Sequence, residues 1–456
     1  MIQKAQLCHS KRFFVAFLLF LVKLCATSLS ANIHMTIVEM TSSKTEMIGN
    51  QTITHAPEFN WNSYEKGIVL SADSYGGLFS MLGGYLAWKF GGSTMISMCT
   101  LTPSILTILG PVLVRYSFYL FFVVQAVAGV CHVFVYVSIS EFWSQWSPMQ
   151  DRSKLISIGF SGIYASSIIT YPLCGFLIHQ FGWPAAFYFT GGACFAASLC
   201  WSIMIPNEPS SAKWISKKEL TYIKQNQEQL GKPSSVLSLF KNIITSKHVL
   251  ALGGAKFAYK AGHTIAVTYL PTYIKDTINA GIQNIGILAS IPITVSVFAL
   301  PLVGYAIDTL RNHDLLTLTQ VHKLFISIGF VGGSFLLFLI AYYSSIFMMS
   351  IICLTIFKII LTTSFVVTIS MSNFLAPQCA SLVNGFVAMF FHLSGIVNPI
   401  LIGFIVTDHS SSQWSVCYCT VGLILLVGAI LFLIFSSSEP ENWENKSDSE
   451  QDCENR

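Results

Sequence analysis

Apolar runs long enough to cross a bilayer alternate along this chain with short polar turns, falling near 13–36, 66–88, 93–113, 116–139, 155–178, 184–205, 248–271, 284–307, 322–343, 346–369, 380–406 and 414–437. A hydrocarbon core takes about 20 residues of helix to span, so the pattern predicts twelve transmembrane helices. Lipid offers no partner to an open strand edge or loop. Each run therefore reads as helix, with Pro172, Pro292 and Pro399 as kinks covered by neighbouring helices.

The first run admits two readings. Lys11-Arg12, an apolar stretch and the small residues of 26–31 have the layout of a secretory signal and its cleavage site. Against this, apolar character resumes at Ile33, Met35, Ile37 and Val38, which carries the segment to the length of a first span.

Composition excludes a water-soluble fold. Of 456 residues, 53% are hydrophobic and 10% charged, against about 25% charged in soluble domains, and the mean hydropathy is +0.63. The net charge of +4 is modest, and its basic residues are scattered between apolar blocks, which excludes a nucleic-acid partner. Cys25, Cys99, Cys131, Cys174, Cys194, Cys200 and Cys353 lie within apolar runs, where thiols act as small packing residues. Cys417 and Cys419 are isolated from other ligands, so no metal site and no cofactor is expected.

Charge in the loops orients the chain. The segment 206–247 carries Lys213, Lys217, Lys218, Lys224, Lys232, Lys241 and Lys247 against Glu208, Glu219 and Glu228, and the turns at Asp151-Arg152-Ser153-Lys154 and Arg311 are also basic. These faces read as cytoplasmic. The 37–65 loop carries Glu39, Glu46 and Glu58 against Lys44, with a glycosylation sequon at Asn50 that requires the opposite side. An even number of spans then puts both termini in the cytoplasm and makes the Asn445 sequon inert. The expected organisation is a six-helix half over 1–205, a basic linker over 206–247, a second six-helix half over 248–437 and a disordered tail over 438–456.

The two halves echo each other. Gly84-Tyr85 and Trp88-Lys89 end the second span, and Gly304-Tyr305, Asp308 and Arg311 end the eighth; Pro172, Gly175 and Phe176 recur as Pro399, Gly403 and Phe404. Repeats about the membrane normal suit a midplane cavity opened alternately to each side. Here the chain resembles the major facilitator superfamily. The Gly, acidic and basic positions of that family's short cytoplasmic gate motif match Gly304, Asp308 and Arg311. The first half keeps Gly84, Lys89 and Gly91 but has Trp88 where the motif usually has Asp, which implies a weakened gate.

The resemblance narrows on the run Phe142-Trp143, Trp146, Pro148, Asp151-Arg152-Ser153-Lys154-Leu155, with Phe59-Asn60-Trp61, Gly182-Trp183, Leu270-Pro271, Tyr273, Ala376-Pro377, Ala380, Ser394-Gly395 and Pro399-Ile400 in order. This is similar to the organic anion family of sodium/phosphate cotransporters, sialin and vesicular glutamate transporters, over about residues 13–437. The family's charged transport positions have drifted. Its first-span Arg falls on Ser30, two residues before Asn32, and a second-span His falls on Leu70. The fourth-span Arg and Glu fall on Gln125 and His132, a seventh-span Arg on Tyr259, and its Asn-His-Leu-Asp pattern on Met371-Ser372-Asn373-Phe374.

Charges that remain inside spans need a reason, because each costs at least about 2.5 to 3.5 kcal/mol at the bilayer centre. Lys256, Lys260 and His263 share one face of the seventh span and offer counter-charge to an anion; the alternative is snorkelling or local pairing. Asp73 in the second span either pairs with a lysine such as Lys23 or Lys260, or takes a proton as a coupling site. His132 reads either as a packing residue or as a proton carrier. Lys358 and His392 are further candidates. Glu141 lies near a helix end beside Trp143 and Trp146, which read as interface anchors, while Arg152 and Lys154 read as gate or positive-inside residues.

No phosphate-binding loop or catalytic constellation is present, so an enzyme is not expected. The reading is an all-α multi-pass protein of the plasma membrane or an endolysosomal or vesicular membrane. It moves a small organic anion or inorganic phosphate by alternating access, driven by a proton or sodium gradient or the membrane potential. Two alternatives stay open: a carrier fold retained as a sensor or scaffold without transport, and a carrier of a neutral or cationic solute.

Overall fold

The computed structural model describes residues 11–48, 51–147, 149–225, 242–278, 281–312, 316–343, 347–375 and 380–437. The calls on Asn50, Pro148, Ala376, Pro377, Asn445, the tail and most of the linker's second half lie outside them. Helix α1 spans Lys11–Met40. A hairpin follows, β1 at Lys44–Ile48 and β2 at Gln51–His55, antiparallel with Lys44 opposite His55 and Ile48 opposite Gln51. The hydropathy pattern gave no sign of this pair, which lies in the loop between the first two spans.

Then come α2 at Ser63–Ser71, a 3-10 stretch at Ala72–Phe79 and α3 at Ser80–Phe90. Four long helices complete the first half: α4 at Gly92–Tyr116, α5 at Phe118–Trp146, α6 at Met149–Phe181 and α7 at Trp183–Met204. The linker contributes the short α8 at Lys217–Gln225. The second half holds α9 at Lys247–His263, a π-helical turn at Thr264–Thr268, α10 at Leu270–Ile278 and α11 at Ile282–Asn312. It continues with α12 at Leu318–Ser327, a second π turn at Ile328–Gly332, α13 at Gly333–Tyr342, α14 at Phe347–Leu375, α15 at Ala380–Ile405 and α16 at Ser411–Phe435.

Among the described residues ten helical segments are long and apolar enough to cross a membrane. The other two predicted spans, 66–88 and 248–271, are helical but interrupted, by the 3-10 stretch and by the π turn. Both interruptions leave backbone geometry that a uniform α-helix lacks. Pro172, Pro292 and Pro399 lie within continuous helices as expected, as do Pro103, Pro111 and Pro301. The first helix continues unbroken through 26–31, and its buried side chains pack against α6 and α7, as a first span does.

By packing, the described residues fall into two compact units: those within Met1–Leu230 and Thr268–Ile291, and those within Gly231–Val267 and Pro292–Arg456. In the first unit α1 packs on α6, and α4 on α7; in the second α9 packs on α15, and α13 on α16. First with fifth and third with sixth thus recur as seventh with eleventh and ninth with twelfth, which is the internal repeat expressed in packing.

One end of the first unit is closed by aromatic rings. Trp143, Trp146 and Trp201 are fully buried, with Phe142 between them and the ring of Trp214 stacked on Trp146 at 5.7 Å. The Trp146 indole N–H donates to the carbonyls of Pro206 and Asn207 at 3.1 and 3.0 Å. Trp143 and Trp146 are therefore core residues that cover helix ends, and the expectation of interface anchors is corrected. At Trp146 an indole serves because its carbon face fills the core while its N–H satisfies carbonyls of the turn that follows α7.

The described part of the linker is packed as well. Ile223 of α8 is fully buried. The Glu219 carboxylate accepts the backbone N–H groups of Lys11 and Arg12, both at 3.3 Å, and pairs with the Arg12 Nε at 3.2 Å. An acidic side chain at the positive end of α1 satisfies donors that the helix cannot.

Candidate functional site

The first unit places a small hollow with mixed polar and apolar walls among four elements. The 3-10 stretch supplies Asp73, α1 supplies Ser30, α5 supplies Gln125 and His132, and Cys99, Pro103 and Thr107 of α4 complete the wall. The Ser30 hydroxyl donates to the Asp73 Oδ1 at 3.1 Å. The His132 Nδ1 lies 3.5 Å from the same oxygen. Glycines set this geometry: an added Cβ at Gly76 would strike the backbone of Gly129 and Val130, and one at Gly129 the backbone of Asp73. With no side chain on either, the 3-10 stretch lies directly on α5.

All four residues marked in this half, Ser30, Asp73, Gln125 and His132, are thus brought together. Behind them sits Lys23, fully buried on α1. Its ammonium makes no hydrogen bond among the described residues, and Asp73 is the opposite charge within electrostatic reach. The second-span carboxylate therefore has two basic groups near it, the Lys23 ammonium of α1 and the His132 imidazole of α5.

The second unit gathers charge of one sign. On α9 the Lys260 ammonium lies 4.9 Å from the ring centre of Phe391. On α14 the Lys358 ammonium lies 5.9 Å from the ring of Tyr259. Tyr259 stacks on Phe391 at 6.3 Å and packs on Phe365 at 5.2 Å and His263 at 6.0 Å. His392 presents its edge to Phe391 at 5.3 Å. Lys256 lies one turn before Lys260, half-buried. Of the residues marked in this half, Tyr259, Lys260 and His392 are connected through Phe391, and Lys256 is not part of that cluster. Lys358 gains in importance: it is only 6% exposed.

Of the gate motif, Gly84 and Lys89 lie on α3 and Gly304 on α11, with the Lys89 ammonium 5.6 Å over its neighbour Phe90. The side chains of Asp151, Arg152, Asp308 and Arg311, like that of Trp88, lie outside the described residues. The sequence gave no signal for Asn207. Its side chain accepts the Thr94 N–H at 3.0 Å and donates to the Phe90 carbonyl at 3.2 Å, bridging the turn at Gly91. Gly91 has φ +89° and leaves no room for a Cβ against Asn207. Among the described residues no three His, Cys, Asp or Glu side chains converge as a metal site.

The model of the Major Facilitator Superfamily matches residues 13–331. Human sialin is 27% identical over 97% of this chain and 92% of its own length. Human vesicular glutamate transporter 2 is 26% identical over 99% and 79%, and mouse sodium-dependent phosphate transport protein 3 is 27% identical over 86% and 82%. In fold the chain is similar to a bacterial homologue of the human lysosomal transporter Spinster, with a TM-score of 0.68 at 11% identity, covering 92% of this chain and 95% of that one. It is likewise similar to a D-xylose-proton symporter, with a TM-score of 0.67 at 14% identity over 93% and 97%.

Proposed function

Because the chain belongs to the major facilitator superfamily, a multi-pass membrane family of transporters and not of enzymes, we propose that it is a secondary carrier of a small organic anion or inorganic phosphate. The observation that carries this reading is the charge balance of the second unit. Lys256, Lys260 and Lys358 stand inside its spans, whereas the only acidic residue within those spans is Asp308, near the end of α11. Charges inside spans mark substrate and ion pathways, and an excess of lysines over acids there suits an anionic solute. Glutamate and phosphate, named in two of the relatives, are anions of this class.

Asp73 and His132 suit proton coupling. A carboxylate that faces an imidazole can be neutralised by a proton held on either group. Sodium is a hard cation that prefers several oxygens, and here a basic ring occupies one side of the carboxylate. The loop charges favour cytoplasmic termini with Asn50 on the far side, in the plasma membrane or an endolysosomal or vesicular membrane. Tags at residues 50 and 230 should then label from opposite sides.

Uptake by purified protein in proteoliposomes tests the reading. A panel of organic anions, phosphate, nucleosides and amines is offered with and without sodium and with an imposed pH gradient. Anions should accumulate, Lys260→Ala should abolish uptake while leaving surface expression intact, and accumulation should follow the proton gradient. Uptake confined to amines or nucleosides would replace the anion by a neutral or cationic solute. No uptake of any solute would favour the sensor or scaffold.

A further inference from the structure

Chain order and packing part company over α10 and the start of α11. Residues 268–291 lie beyond the linker, in the second half of the chain, yet they pack as part of the first unit. Both ends of this segment coincide with breaks in regular helix. The boundary between Val267 and Thr268 falls in the π turn Thr264–Thr268, and the boundary between Ile291 and Pro292 falls at a proline inside α11. A π turn and a proline each disturb the regular hydrogen bonds of a helix, and helices bend at such places.

Close backbone approach seats the segment on the first half. α10 packs on α1, with Leu270, Pro271, Tyr273 and Ile274 buried. On α11, Ile282, Ile285, Gly286 and Ala289 are buried and share one helix face. A Cβ on Gly286 would strike the Tyr171 carbonyl, and one on Gly175 would meet the Ile282 carbonyl at 3.0 Å and the Gln283 Cα at 3.2 Å. Two facing glycines thus let α6 and α11 touch backbone to backbone. The contact lies near the end of α6 and the start of α11, the end of the bundle that carries the 37–65 loop. At the same end, Lys66 of α2 has Asp276 of α10 as the opposite charge within electrostatic reach.

We infer that residues 268–291 form a gate with two hinges of its own, which closes this end of the carrier on α1 and α6 through Gly175 and Gly286 and swings away at the π turn and Pro292. This rests on the alternating-access carrier reading and is independent of the charge of the solute. It differs from the rocking of two rigid halves, because the moving piece belongs to the second half by chain and to the first by packing. Opening must separate Gly286 from Gly175 and Lys66 from Asp276, so a bulky side chain at Gly286 holds the gate ajar.

Amide hydrogen exchange of the full chain in detergent reads the gate without any solute, because local opening exposes only the segment that moves. Gly286→Leu should raise exchange about tenfold or more in peptides covering 268–291 and 168–181, the size expected of an overpacked contact. Peptides of α13 and α16 in the second unit should stay as in wild type. Should Gly286→Leu yield no folded protein, Lys66→Gln carries the same test with a smaller local rise, and Lys66→Arg should restore protection. Unchanged exchange in both segments, or an equal rise along the whole chain, overturns the gate. In proteoliposomes Pro292→Ala, which restores a helical hydrogen bond and stiffens one hinge, should slow uptake of radiolabelled phosphate or glutamate several-fold while the concentration for half-maximal uptake stays the same. Wild-type rates in Pro292→Ala overturn the hinged motion. Failure of the wild type to take up either anion counts against the anion reading alone, and hydrogen exchange still decides the gate.

Discussion

Asp73 and His132 face each other at 3.5 Å because Gly76, three residues after the first, and Gly129, three before the second, allow the 3-10 stretch and α5 to touch. Neither residue alone marks a site. Their juxtaposition, with the Ser30 hydroxyl on the same carboxylate oxygen, puts a carboxylate and an imidazole side by side within this half of the chain.

Asp73→Asn should uncouple transport from the proton gradient. The amide is fixed in the neutral form, so one proton per cycle is no longer carried, and each pH unit of gradient, worth about 1.4 kcal/mol or tenfold accumulation, ceases to be used. Solute exchange at equal pH on both sides should persist. Retention of gradient-driven accumulation in this variant would remove Asp73 from the coupling step.

His132 shares the same carboxylate oxygen, with its Nδ1 3.5 Å from the Asp73 Oδ1. His132→Gln should therefore weaken gradient-driven accumulation while exchange at equal pH persists. Accumulation identical to wild type would make His132 a packing residue.

Gly129→Ala tests the backbone contact. The new Cβ would overlap the Asp73 backbone, and relief of such overpacking costs about 1 to 3 kcal/mol. A lowered melting temperature in detergent together with weakened proton coupling is expected, since the 3-10 stretch must move away from α5. Alanine at Gly192, where a Cβ meets nothing, is the control and should leave both unchanged.

The aromatic closure should be a stability element. Trp146→Ala removes a fully buried ring and should cost about 3 to 5 kcal/mol, seen as loss of folded protein on size exclusion. Trp146→Phe keeps much of the packing but leaves the carbonyls of Pro206 and Asn207 without their indole donor, and should fall between the two.

Glu219→Gln removes the charge that caps α1. Arg12 and Glu219 are largely shielded, at 8% and 12% side-chain exposure, and a helix-terminal charge in such a setting is worth about 1 to 2 kcal/mol. The melting temperature should fall while solute preference stays as in wild type. A changed preference would connect the linker to the site itself.

Much of the site was legible before any coordinates, for a physical reason. Lipid penalises charge so heavily that Asp73, Lys260 and Lys358 stand out in their apolar runs, and Ser30, Gln125, His132 and Tyr259 were marked by their alignment with charged family positions. What could not be read was which of them meet. Lys23 was visible only as a possible partner for Asp73, and Lys358 ranked below Lys256, because nothing in one helix tells which neighbour it will face.

By itself the sequence determined that the chain spans a membrane many times as helix, that the spans of its second half carry lysines against one acid, Asp308, near a helix end, and that motifs of its first half recur in the second. Those properties are additive along the chain, since hydropathy and charge are summed residue by residue. Only the tertiary structure decided that three spans are interrupted, that Trp143 and Trp146 are core and not interface, and that Tyr259 and Phe391 join Lys260 to Lys358. Such facts depend on close approach between distant segments, set by where glycines permit contact and where rings fill space, and no local pattern contains them.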